Sequence, residues 1–114
     1  MKEDKFKVIN FIRELIVNID KNLDNFPKKD IEIKKRVRNL SYDLLECVYI
    51  ANAIENKQEK IKLIGKAIAK VKVIDFLINL SYDKQIINNK RYLKFGESME
   101  EIVRYLVGWK NSIN

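Results

Sequence analysis

The sequence predicts an all-α fold, a bundle of four helices running up-down-up-down, and three observations carry that prediction. Apolar residues recur at alternating spacings of three and four in four separate stretches, and the breaks between those stretches are only a few residues long. No segment shows the strict alternation of a half-buried strand. Short connections make consecutive amphipathic helices antiparallel neighbours. With 114 residues, 46% of them hydrophobic and 34% charged, the chain has enough apolar material for one domain spanning residues 1–114 and too little length for two.

The first helix is expected over about residues 4–24, where Ile9, Ile12, Ile16, Ile19 and Leu23 share a face that Phe11 and Leu15 widen. Phe26-Pro27 then breaks the pattern, because proline suits a turn or a first helical turn. The second helix is expected over about 29–55, on the stripe Ile33, Val37, Leu40, Leu44, Cys47, Ala51 and Ile54. Asn56 followed by Glu59 is a capping-box arrangement. It opens a third helix expected over about 57–80, with the stripe Ile61, Ile64, Ile68, Val71, Ile74 and Ile78. The fourth is expected over about 89–112, capped by Asn88 or Asn89 and striped by Tyr92, Phe95, Met99, Ile102, Leu106, Trp109 and Ile113.

The second and third helices are apolar beyond the width one seam requires. Leu45, Val48 and Tyr49 on the second, Val73, Phe76 and Leu80 on the third, and Trp109 on the fourth are the candidate interface residues of a homo-oligomer. A well-covered central helix pair in a monomer is the alternative. Asp75 falls beside the third stripe, where it either reaches solvent or meets a basic partner.

Catalytic chemistry has little material. There is no histidine, so neither Glu-x-x-His metal ligands nor a histidine base for a nucleophile is available. Cys47 is the only cysteine, which leaves no zinc or redox pair and makes it a small buried hydrophobe of a reducing compartment. Gly65, Gly96 and Gly108 are scattered along helices, where they are expected to permit close packing; they form no phosphate loop. Glu100 is placed to pair with Arg104 one turn on. The expectation is a non-enzyme with no cofactor, no metal and no small-molecule substrate. The uncharged runs are too short for a membrane span, and Met1 leads into Lys2, Glu3, Asp4 and Lys5 without an apolar leader, so a cytoplasmic location is expected.

Charge is the strongest functional signal. The formal net charge is +7, and the cations cluster in two blocks: Lys28, Lys29, Lys34, Lys35, Arg36 and Arg38, then Lys57, Lys60, Lys62, Lys66, Lys70 and Lys72. Lys62, Lys66 and Lys70 line one helix face with no acid between them, an arrangement that costs roughly 0.2–0.5 kcal/mol per like-charged pair. Phosphate binding would explain such a ridge. The candidate nucleic-acid contacts are therefore Lys28, Lys34, Lys35, Arg36, Arg38, Lys62, Lys66, Lys70 and Lys72, joined by Arg91 and Arg104 from the fourth helix. On adjacent helices of an oligomer the two blocks are expected to merge into one cationic surface. The aromatics lie mostly on seams, so sequence-specific readout of bases is not expected.

Phe26-Pro27, Lys35-Arg36-Val37, Tyr42-Asp43-Leu44-Leu45-Glu46, Lys90-Arg91-Tyr92, then Ile102, Arg104, Leu106 and Gly108-Trp109 occur in this order across about residues 15–111. In this the chain resembles the Avd family, the four-helix-bundle accessory variability proteins of diversity-generating retroelements. It departs from the family pattern at Val107, where many relatives have a second glycine before the tryptophan, and at Lys34, where they have a small residue. The resemblance implies a pentameric, basic, ring-like assembly that associates with a retroelement reverse transcriptase and its RNA or DNA during template-directed mutagenesis. A similar bundle type, encoded in ribosomal RNA intervening sequences, implies instead a structural protein-interaction module with no direct nucleic-acid role.

Overall fold

The computed structural model describes residues 2–113, with side chains described from Lys7 onward. Four helices account for nearly all of it: α1 (Lys2–Asn22), α2 (Ile31–Ala53), α3 (Lys57–Asp83) and α4 (Asn89–Asn111), with a single 3-10 turn at Lys28–Asp30 before α2. Each helix packs on the next in sequence and α4 closes against α1, while the diagonal pairs α1–α3 and α2–α4 stand further apart across the core. The result is an elongated four-helix bundle, 45 × 22 × 19 Å.

The core follows the seams with small rotations. On α1 the fully buried residues are Val8, Ile12, Leu15 and Ile19, continued by Leu23 just past its end, and Ile16 is only half-buried. On α3 the buried line is Ile64, Ala67, Val71, Ile74, Ile78 and Ser81; Ile61 and Ile68 sit at its edge. Ala67 and Ser81 belong to the seam because small residues let helices approach where a larger isoleucine is turned aside. Ser41 and Ser81 bury their hydroxyls at little cost, since each donates to a carbonyl of its own helix, Arg38 O at 2.7 Å and Leu77 O at 2.8 Å. Asp75 lies beside this line, half-buried at the edge facing α4.

The helix ends have clear causes. Asn56 and Asn88 accept the backbone N–H of Glu59 and Arg91 at 2.9 and 2.8 Å, so both asparagines cap the helices they precede. α3 runs past the expected end at residue 80 and stops in a Schellman arrangement, where Gln85 N–H donates to Tyr82 O and Ile86 N–H to Ser81 O, both at 2.9 Å. Gln85 adopts φ 63° there, the left-handed conformation that costs a residue with a Cβ roughly 1–2 kcal/mol. The stacked rings of Tyr82 and Tyr92, 4.1 Å apart, bridge this turn to the start of α4.

One buried charge went unmarked in the sequence. Asp30 is 8% exposed, and its Oδ1 lies 3.3 Å from Lys84 Nζ, tying the 3-10 turn to the end of α3. The glycines correct an expectation. A Cβ added at Gly65, Gly96 or Gly108 meets nothing within 4 Å, so none of them serves close packing. Their backbones are also free of positive φ. Gly65→Ala and Gly108→Ala are therefore expected to stabilise the bundle by about 0.5–1 kcal/mol each, read as a higher urea midpoint at unchanged m.

Candidate nucleic-acid interface

Antiparallel packing decides where the two basic blocks go. The Asp30–Lys84 pair places the start of α2 beside the end of α3. At the other end, the Cys47 thiol donates to the Leu63 carbonyl at 3.1 Å and sets the register. Lys62 is thus level with the second half of α2, about 25 Å along the axis from the 3-10 turn at 1.5 Å per helical residue. The merging expected of the two blocks concerns neighbouring copies in an oligomer, and a single bundle keeps them largely apart. They point toward opposite ends of the α2–α3 pair and approach each other only near its middle.

The candidate cations divide by what they touch. Lys35 lies 3.6 Å from Glu32. Arg38 is held by Asp20 of α1, Nε to Oδ1 3.4 Å outside hydrogen-bond geometry, while its Nη2 donates to Tyr42 Oη at 3.3 Å. The Tyr42 hydroxyl, and after it the Asp20 carboxylate, hold its guanidinium further above the ordinary arginine range. Arg104 pairs with Glu101, not with Glu100 as the spacing suggested, and stacks near the Tyr105 ring. Arg91 donates from Nη1 to the Asn22 carbonyl at 3.1 Å, linking α4 to the end of α1. All four already have a partner, but only Arg38 and Arg91 join separate helices, while Lys35 and Arg104 make exposed pairs within their own helix.

A second group has no ion pair among the described residues. Lys28, Arg36, Lys62, Lys66 and Lys72 are exposed, and Lys34 and Lys70 are half-buried. Lys66 and Lys70 lie near enough to Cys47 to act on it. Burial pushes the Cys47 thiol above its ordinary value, Lys70 and Lys66 pull it down, and Glu46 adds to the rise. The lysine ridge therefore leans toward α2 over the Cys47 position.

The expected interface residues divide in the same way. Val48 and Trp109 are inside the bundle, 1% and 2% exposed, and leave the list of residues a second copy could reach. Tyr49, Val73 and Phe76 are exposed, Phe76 at 61%, and Leu45 and Leu80 are half-buried. Tyr42 and Ile50 of α2 add to the same outer apolar surface. On α3 the spacing is regular: Lys62, Lys66, Ala69, Val73, Phe76 and Leu80 follow one another by four and three along the side away from the core, basic in the first half and apolar in the second. Among the described residues no three His, Cys, Asp or Glu side chains are grouped to hold a metal, and no helix is long and apolar enough to cross a membrane.

The groove between α1 and α4 was missed by sequence reasoning. Asn10, Arg13, Glu14, Val17, Asn18 and Lys94 line its middle, and Asn22, Lys90 and Arg91 its end. Comparison of the chain with protein-family models, with curated proteins and with solved structures gives no match.

The placement of the ridge is testable through the thiol. In Lys66→Glu with Lys70→Glu, Cys47 is expected to titrate higher, so the native protein reacts several-fold more slowly with neutral iodoacetamide near pH 8.5. The rate in denaturant stays close to that of the parent. An equal native rate would place the two lysines away from Cys47.

Proposed function

We propose that this protein is a non-catalytic, nucleic-acid-binding bundle that assembles with copies of itself. The observation that supports this best is the divided outer stripe of α3, in which unpaired Lys62 and Lys66 continue into exposed Val73 and Phe76. Lysines spaced one turn apart without acids repel each other, and phosphates relieve that repulsion while releasing counterions. Exposed aromatic and branched residues on one face, here joined by Tyr49 of α2, are what subunit contacts cover.

The Avd-family resemblance adds the finer content of the proposal: a ring of five and a retroelement reverse transcriptase as the partner, with RNA or DNA held by the assembled basic surface. The second reading is a purely structural interaction bundle of the ribosomal RNA intervening-sequence type. The exposed tyrosines and Phe76 favour it to the extent that they meet a different protein.

Two measurements separate these readings. RNA or DNA binding is expected to weaken by at least tenfold between roughly 50 and 200 mM salt. Lys62→Glu, Lys66→Glu and Lys70→Glu combined should abolish it while helicity and particle mass are kept. Salt-independent binding, or a triple variant that binds like the parent, would count against the phosphate ridge. For assembly, light scattering on the parent should give a multiple of 13.6 kDa. Val73→Glu with Phe76→Glu should reduce it to the single-chain value, because carboxylates cannot be desolvated in an apolar contact at acceptable cost. A parent of single-chain mass at micromolar concentration sinks the oligomer.

A further inference from the structure

Where α1 ends beside the start of α4, the seam between them opens into a pocket of about 330 Å³. Its polar wall comes from Asn18 and Asn22 of α1, the capping residue Asn88, and Lys90, Arg91 and Lys94 of α4, and no carboxylate lines it. Phe95, 3% exposed, supplies the apolar part of the lining. Glu14 lines the adjoining stretch of groove on one side and Asp83 that on the other.

The hydrogen bonds already made leave donors over. Arg91 uses Nη1 on the Asn22 carbonyl, which holds the guanidinium in place with its other N–H groups uncommitted. Asn88 uses its Oδ1 to accept the Arg91 backbone N–H, leaving its NH₂ as a donor. Three cations and surplus amide donors with no acid suit a guest that only accepts, and a dianionic phosphate is such a group. The amides of Asn18 and Asn22 both donate and accept, which suits hydroxyls or a heterocycle edge. The volume lies at the lower end of small-molecule sites, roughly 300–1,000 Å³, and is larger than a bare phosphate requires.

We propose that this pocket binds a phosphate monoester of nucleotide size, with Lys90, Arg91 and Lys94 around the phosphate and Asn18 and Asn22 on the remainder. This goes beyond the polyanion reading and does not depend on it, since the lysine ridge lies on α3 and no residue of α3 lines this pocket.

The test is an NMR titration of the whole chain with adenosine monophosphate, using adenosine and inorganic phosphate as separate arms. Saturable shifts are expected in amides 18–22 and 88–95, with adenosine at least tenfold weaker. Inorganic phosphate should compete at the same amides. Binding should tighten from pH 5 to pH 7 as the second phosphate proton leaves near pH 6, because the chain has no histidine to titrate in that range. Lys90→Glu with Lys94→Glu should weaken the nucleotide at least tenfold, and Lys62→Glu with Lys66→Glu less than about twofold. Arg91 is left unchanged because it also holds α4 to α1. No saturable shift at about 10 mM nucleotide overturns the proposal. So do equal affinity for adenosine, shifts centred on α3, or an unaffected Lys90/Lys94 variant. If that variant does not fold, the shift map and the adenosine arm on the parent chain decide by themselves.

Discussion

Three residues, Ile54 to Asn56, connect α2 to α3, and the position of every charge on those helices follows from that short connection. Ile54 closes α2 by donating to the Ile50 carbonyl at 3.1 Å and is already extended, with ψ 151°. Asn56 caps α3 two residues later. A link of this length cannot cross the bundle, so the helices turn back on each other and pack more extensively than any other pair. Cys47 against the Leu63 carbonyl and Asp30 against Lys84 then hold one register at both ends. Two basic blocks close in sequence end up directed to opposite ends of the pair, and two apolar flanks end up side by side on its outside.

Much of this architecture was legible because helix seams are local. Leu44, Ile74, Ile102 and Leu106 could be placed by counting threes and fours, and Asn56 identifies itself as a cap by the chemistry of its side chain, whereas the choice of Asn88 over Asn89 needed the structure. Counting fails where size decides over hydrophobicity. Ala67 takes the seam position expected of Ile68, Ser81 extends the α3 seam beyond Ile78, and a wide stripe on α2 concealed that Val48 belongs to the core. Trp109 was misplaced for the same reason, since a large aromatic on a seam reads equally as core or contact.

The candidate sites were legible in proportion to how local they are. Lys62 and Lys66 lie within one turn of each other on one helix, and the sequence is enough to align them. Which cations are already engaged is a tertiary matter: Arg38 meets Asp20 from α1, Arg91 meets Asn22, and Lys84 meets Asp30, each across a long stretch of chain. The α1–α4 pocket joins residues 18 and 22 to residues 88–95 only because the last helix closes on the first. Isolated asparagines and lysines at those positions carry no periodic signal, so no count along the chain could have brought them together.

The divided stripe on α3 links the proposed assembly to the proposed ligand. If the apolar half, Val73 and Phe76, is covered by a neighbouring copy, the neighbour's orientation fixes where its lysines go. Antiparallel packing about the apolar half would send the two basic halves in opposite directions, and neither would gain from the other. Packing that keeps the bundle axes parallel, as around a ring, puts the basic ends of all copies at the same end of the assembly. It adds to the repulsion already present along the helix. A polyanion that spans the aligned lysines removes that repulsion, so it binds the assembled form more tightly than the single chain, and by reciprocity it strengthens the assembly. Coupling of this kind needs no contact between ligand and apolar surface. It follows from placing both functions on one face of one helix.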